Sequence, residues 1–159
     1  MGVSGAGKTL IGSRFAHALG IEFVEGDGYH PPSNIEKMTK GIPLDDTDRE
    51  GWLHAIGSRI RRANDAEIGI VVSCSALKRS YRDTIRGEAG RVQFVFLRGE
   101  RELIGRRLRE RQGHFMPTSL LDSQLSTLEH PSADEQIWVV DVTRSPDEIV
   151  SELVALAST

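Results

Sequence analysis

Residues 2–9 read GVSGAGKT, and this octapeptide restricts the fold more than any other stretch of the chain. Gly2, Gly7, Lys8 and Thr9 satisfy the spacing G-x-x-x-x-G-K-[ST], in which backbone N–H groups of a glycine-rich loop converge on phosphate oxygens. Gly2, Val3, Ser4, Gly5, Ala6 and Gly7 would line the cradle. Lys8 would reach the β- and γ-phosphates of ATP, and the Thr9 hydroxyl would bind Mg²⁺. Such a loop joins the end of a buried strand to the start of a helix. The helix is legible, since Leu10, Ile11, Phe15, Ala18 and Leu19 share one face of KTLIGSRFAHALG, which stops at Gly20. The strand is not, because only Met1 precedes the loop.

Four further apolar runs, IEFVEGD, IGIVVSC, VQFVFL and QIWVVDV, read as strands. Helical spacing separates them: from Trp52 through Leu53, Ile56 and Ile60, then in LKRSYRDTIRG, ERELIGRRLRERQG and LLDSQLSTLEH. Pro31, Pro32, Gly41 and Pro43 read as turn signals. SPDEIVSELVALA closes the chain, with Ser145 as the N-cap and Pro146 at the first helical position. Alternating strands and helices imply an α/β fold of the P-loop NTPase type, a three-layer α/β/α arrangement on a parallel sheet. Four strands are visible and a fifth, before Gly2, is implied. Residues 1–159 form one domain, with a substrate-binding insertion over about 28–64 and a lid over about 111–120.

Composition excludes several classes. Hydrophobic residues at 38% and charged residues at 27% belong to a globular chain and not a disordered one. A net charge of -3 offers no bulk attraction to nucleic acid or an anionic membrane. No apolar run approaches the roughly 20 residues of a membrane span, and no secretory signal is visible. A single cysteine, Cys74, forms no internal disulfide and reads as a small buried hydrophobe, so a reducing cytoplasm is expected. The five histidines and one cysteine show no zinc-type spacing.

The guanine signature N-K-x-D is absent, and Asp141, ending the last strand, reads as structural. The third strand ends in SCSALK with no carboxylate, so the metal leans on Thr9 and on Glu25 and Asp27. Asp27 stands just past a strand's carboxyl end, where open α/β sheets bind ligands. It is either the base that takes a proton from an attacking hydroxyl or a turn residue between Gly26 and Gly28. His30 is either a substrate contact or a hydrogen-bonded turn histidine. Asp46 and Asp48 read as helix-capping acids, with Thr47 or Asp48 at the N-cap, whereas the planar fork of Arg49 suits a carboxylate. Lys78, Arg82 and Arg86 fall on one helical stripe; Lys78 and Arg82 are read equally as a solvated face or as anion binders, and Arg86 is left to solvent. Arg111, at the foot of the Gly-His-Phe-Met loop, and Arg107, one turn behind, are candidates to neutralise the transferring phosphate.

The blocks MGVSGAGKT, EGDGYHPPSNIEKMTKGIPLDDTDREGWL, SCSALKRSYRDTIR and GHFMPTSLLDSQLSTLEHP together resemble the gluconate kinase family over nearly the whole chain. The resemblance implies ATP- and Mg²⁺-dependent phosphorylation of the 6-hydroxyl of D-gluconate, in a fold shared with shikimate and nucleoside monophosphate kinases. It places Asp27 against the sugar-acid hydroxyl, Arg49 in the acceptor pocket and Arg107 and Arg111 on the nucleotide and lid side. His30, Lys78 and Gln124 could supply the remaining partners for a carboxylate and a chain of hydroxyls. A homodimer is suggested by resemblance alone. Alternatives are a kinase of shikimate or another sugar acid, and a nucleotide-binding protein without turnover. In the resembled fold the strand before the loop is central. Its loss would strand buried N–H and C=O groups at roughly 1–3 kcal/mol each. The expectation is that Met1 is an internal methionine or a cut end, preceded by about ten Val- and Ile-rich residues.

Overall fold

A computed structural model describes residues 1–110 and 118–159. Gly7, at φ 96°, turns the loop into α1 (Lys8–Leu19), and Gly20, at φ 68°, closes that helix. β1 (Glu22–Glu25) follows, then a 3₁₀ turn at Gly26–Tyr29 and helix α2 (Pro32–Thr39). α3 (Asp46–Asp65), β2 (Ile70–Ser73), α4 (Arg79–Ala89), β3 (Val95–Arg98) and α5 (Arg101–Glu110) come next. α6 (Thr118–Thr127), a second 3₁₀ turn (Ala133–Glu135), β4 (Trp138–Asp141) and α7 (Pro146–Ala157) complete the described chain.

The four expected strands are present and parallel. β1 pairs with β2, Val24 opposite Val72, and β3 pairs with β4, Leu97 opposite Val140. Side chains of adjacent strand residues point to opposite faces, and here they feed two separate cores. Val71, Val95, Leu97 and Val140 join Ile11 and Phe15 of α1 and Ile149 and Leu153 of α7. Ile70 and Val72 instead join Trp52, Ile56 and Ile60 of α3 and Tyr81 and Ile85 of α4. Helices therefore cover both faces, giving the α/β/α layering.

Two local expectations are corrected. Pro31 and Pro32 open a helix and do not merely mark a turn: Pro31 is the N-cap of α2, and Pro32 is its first residue, where its missing N–H is no loss. α3 begins six residues before Trp52, and its N-cap is Asp45, not Thr47 or Asp48. The Asp45 carboxylate accepts from Asp48 N at 2.8 Å, and the Asp48 carboxylate accepts from Asp45 N at 3.0 Å, so Asp48 is the reciprocal partner in a capping box. The Ser145 cap of α7 is as expected, with Glu148 in the reciprocal role.

The sheet is divided into two strand pairs, and the first two residues stitch them together. Met1 N donates to Val95 O, Leu97 N donates to Met1 O at 3.0 Å, and Gly2 N donates to Ser75 O at 3.1 Å. Beyond that stitch the pairs are separated by a cavity of about 340 Å³, lined by Val71 and Val72 on one side and Val95 and Leu97 on the other. Met1 lines this cavity as well. Cys74 lies beside it, buried, its thiol pushed up to about 12 by desolvation, as suits an inert core residue. Among the described residues no helix is long and apolar enough to cross a membrane.

Candidate active site

The phosphate loop is built from backbone conformations that glycine favours. Gly2, Gly5 and Gly7 have φ of 141°, 83° and 96°. At Gly5 there is no room either, since a Cβ would lie 2.7 Å from Leu108 Cγ, so α5 packs directly on the loop. No side chain caps the start of α1 and no acid stands in its first turn, which leaves the helix N-terminus suited to an anion. Lys8 Nζ donates to Val3 O at 3.0 Å, folding the side chain back over the loop. From the other side Gln124 of α6 accepts from Ser4 N at 2.7 Å through Oε1. Gln124, expected among the acceptor-binding groups, thus stands on the phosphate loop itself.

Thr9 ties the loop to the neighbouring strand. Its hydroxyl donates to Glu25 Oε2 at 2.7 Å, and the other Glu25 oxygen accepts from the Ser73 hydroxyl. Thr9, in the first turn of α1, and Glu25, at the carboxyl end of β1, thus bring together oxygen donors of the kind Mg²⁺ takes with substrate phosphates and water. Among the described residues no group of three or more His, Cys, Asp or Glu would hold a metal on protein ligands alone. The donor set fits a nucleotide-borne Mg²⁺.

Two residues beyond Glu25, Asp27 lies exposed on a turn that is braced on several sides. Gly26 N donates to Ser73 Oγ at 3.2 Å, and Gly26 O accepts from Trp52 Nε1 at 2.8 Å. A Cβ on Gly26 would sit 2.0 Å from Ser73 O, so the turn lies flush against β2. His30 N donates to Asp27 O at 3.2 Å, and the His30 ring stacks on Trp52 with centroids 4.2 Å apart. His30 is buried, and desolvation lowers its pKa, with Asp27 opposing that shift and Arg49 adding to it. Asp27 is therefore a turn residue by backbone and a presented carboxylate by side chain.

Arg49 reaches this region from α3. It is 9% exposed, its Nη2 donates to Leu44 O at 3.2 Å, and its Nε has no hydrogen-bond partner. A buried guanidinium nitrogen left unpaired is costly unless a ligand completes it. Lys78 pairs with Asp46 at 2.7 and 2.9 Å, and Asp46 also accepts from the Tyr81 hydroxyl. The Lys78 partner raises its pKa, and Lys78 first, then Tyr81, lower that of Asp46.

Arg82 departs from the expected role. It is wholly buried, donating through Nε and Nη2 to both oxygens of Glu135 at 2.6 and 2.8 Å, while Nη1 reaches Ala76 O, Leu77 O and Glu129 O at 3.2 Å. Lys78 ends at the helix N-cap and Arg82 turns into the core, so the basic stripe does not exist as a surface. Arg86 is not left to solvent either: it donates to Glu135 O at 2.8 Å and lies over the Phe94 ring. Arg107 donates to Val142 O at 2.7 Å just past β4, and Asp141 accepts from Thr143 N and Oγ1 within its own turn. Arg111 and most of the expected lid fall in 111–117, outside the described residues.

Sequence reasoning missed Ser73, Trp52 and Asn34 as site-building residues. Ser73 and Trp52 read as parts of an apolar strand and helix face, with nothing local to show that their polar atoms meet Gly26. Asn34 lay among turn signals that turned out to be a helix.

Comparison with known proteins places this geometry among kinases. The shikimate kinase family model matches residues 4–157. The chain is 47% identical to the gluconokinase of Gluconobacter oxydans over 154 residues, 97% of this chain and 86% of that one. A gluconokinase structure from Sinorhizobium meliloti superposes with a TM-score of 0.88 at 52% identity, covering 98% of this chain and 87% of the other. An unliganded sugar kinase from a Janibacter species reaches a TM-score of 0.92 at 44% identity, with coverage of 98% and 90%.

The Arg82–Glu135 pair separates structural from binding roles. The Glu135 carboxyl is held down to about 2 by Arg82, so the pair stays ionised across ordinary pH. Arg82→Leu leaves that buried carboxylate with only Arg86, 3.6 Å from Oε2, and the Ser132 N–H, 3.1 Å from Oε1, and should cost about 3 kcal/mol, lowering Tm by roughly 10 °C. Below the transition, KM for the acceptor should be unchanged; a normal Tm with a raised acceptor KM would return Arg82 to the pocket.

Proposed function

The chain belongs to the gluconokinase family, within the broader shikimate kinase group, and on that premise we propose that it transfers the γ-phosphoryl group of ATP to the 6-hydroxyl of D-gluconate. The observation that carries the reading is the Thr9–Glu25 hydrogen bond of 2.7 Å. It fixes the phosphate loop to the strand whose next turn presents Asp27. Donor and acceptor machinery thus share one edge of the sheet, where in-line transfer requires them.

In this mechanism the backbone N–H groups of Gly2–Thr9 and the uncapped start of α1 receive the β- and γ-phosphates. Lys8 swings from Val3 O to the phosphate oxygens as they arrive. Thr9 and Glu25 would hold Mg²⁺, which would supply charge neutralisation for the nucleotide phosphates. Asp27 accepts the proton of the attacking hydroxyl as its oxygen bonds to the γ-phosphorus and the bond to the β,γ-bridging oxygen breaks, leaving ADP. Arg49 takes the gluconate carboxylate, completing its orphaned Nε, and His30 and Lys78 contribute to the hydroxyl chain. Arg107 belongs to the nucleotide side, with Arg111 as the proposed phosphate-neutralising arginine. Gln124 is assigned to the phosphate loop, and Arg82 to the fold.

Asp27→Asn should lower kcat by about 10²–10⁴-fold with ATP affinity nearly unchanged, read by coupled ADP release and by nucleotide titration. Wild-type turnover in that variant would remove Asp27 from the mechanism. Arg49→Lys keeps the charge but loses the fork, and should raise KM for gluconate about tenfold or more without altering KM for ATP. Faster turnover of shikimate than gluconate by the unmodified protein would overturn the acceptor assignment.

A further inference from the structure

Asn34 is 2% exposed, and its amide reaches both His30 and the backbone of α3. Its Nδ2 donates to Asp48 O at 2.6 Å, which identifies the nitrogen end of the amide on that side, since a backbone carbonyl can only accept. The same Nδ2 lies 3.3 Å from His30 Nδ1. With the amide oriented by Asp48 O, its second hydrogen meets the Nδ1 lone pair, and the imidazole proton is left on Nε2. We propose that Asn34 is a positioning residue that locks His30 as the Nε2–H tautomer, a hydrogen-bond donor for an oxygen of the polyhydroxy-acid acceptor held beside Asp27. This rests on the reading of the Asp27 edge as the acceptor site.

Every element packed around His30 bears on the arrangement. The 3₁₀ turn contributes Asp27, whose charge favours an imidazolium; α3 contributes Arg49, which disfavours one, and Trp52, which stacks on the ring. α2 contributes Asn34, whose N–H opposes any proton on Nδ1. Desolvation is the largest influence, and it also favours the neutral ring. Neutrality serves the chemistry: an imidazolium next to Asp27 would stabilise its carboxylate and weaken it as a base. The four-residue spacing places both side chains on one construction. His30 closes the 3₁₀ turn that carries Asp27, Asn34 lies in α2, and the Asp48 carbonyl anchors the pair to α3.

The test is two-bond ¹H–¹⁵N NMR of the histidine rings in the full chain, alongside kinetics. His30 should show the neutral Nε2–H pattern at pH 7, assigned by loss of that signal in His30→Gln. Asn34→Asp puts a carboxylate opposite Nδ1. It should move the proton to Nδ1, raise the His30 titration midpoint by at least about one unit and raise KM for gluconate roughly tenfold. The acid limb of its gluconate pH profile should shift upward to match. Should Asn34→Asp fail to fold, Asn34→Ala removes the donor and should give mixed tautomers with a raised gluconate KM. An Nδ1–H tautomer in the unmodified protein overturns the proposal, as does a variant with unmoved titration and unmoved KM. The ring spectra require no gluconate, so a protein with the Nε2–H tautomer but no gluconate turnover overturns the acceptor reading and not the tautomer lock.

Discussion

The phosphate loop hangs from the sheet by the backbone groups of two residues. Met1 and Gly2 bond to Val95, Leu97 and Ser75, and through them two strand pairs share one set of carboxyl ends. Parallel strands pointing the same way deliver every following turn to one edge, so Gly2–Thr9, Asp27 and the residues after Ser73 meet without any single segment being designed to meet another.

Trp52 carries that order outward. Its indole belongs to the core formed by α3 and α4, while its N–H holds Gly26 O and its face stacks on His30. One residue thus converts core packing into the placement of the Asp27 turn, on the side opposite Ser73, which holds the same turn from β2. A carboxylate that is exposed yet borne on an immobilised backbone is what proton transfer at a fixed distance requires.

Much of the architecture was legible in the sequence because it follows local rules. The α1 start and stop at Gly7 and Gly20, the continuous apolar run of β2 that marks a strand covered on both faces, and the Ser145 cap each depend on a few neighbouring residues. What was not legible depends on partners far along the chain. Arg82 fits a surface stripe by spacing, and only Glu135, 53 positions away, draws it inward. Asp45 wins the α3 cap because Asp48 reciprocates, a choice among acids that spacing alone leaves open. α2 was hidden by prolines that mark a helix start as readily as a turn. Asp27 carried two readings, base or turn; its backbone lies in the 3₁₀ turn, and its side chain is exposed.

The distribution of charge then bears on which acceptor the edge suits. Arg82 is engaged by Glu135 and Arg86 by the same segment, while Lys78 leans on Asp46, so these three cations already have partners within the protein. Arg49 is different in kind: it is buried, its neighbour Tyr81 offers a ring and not an anion, and its Nε has no partner. In the proposed mechanism one such guanidinium, a neutral histidine and the Asp27 carboxylate suit an acceptor with a single negative charge and several hydroxyls. Gluconate, with one carboxylate at the far end from its reacting hydroxyl, would separate these demands along its length, the carboxylate toward Arg49 and the hydroxyl toward Asp27.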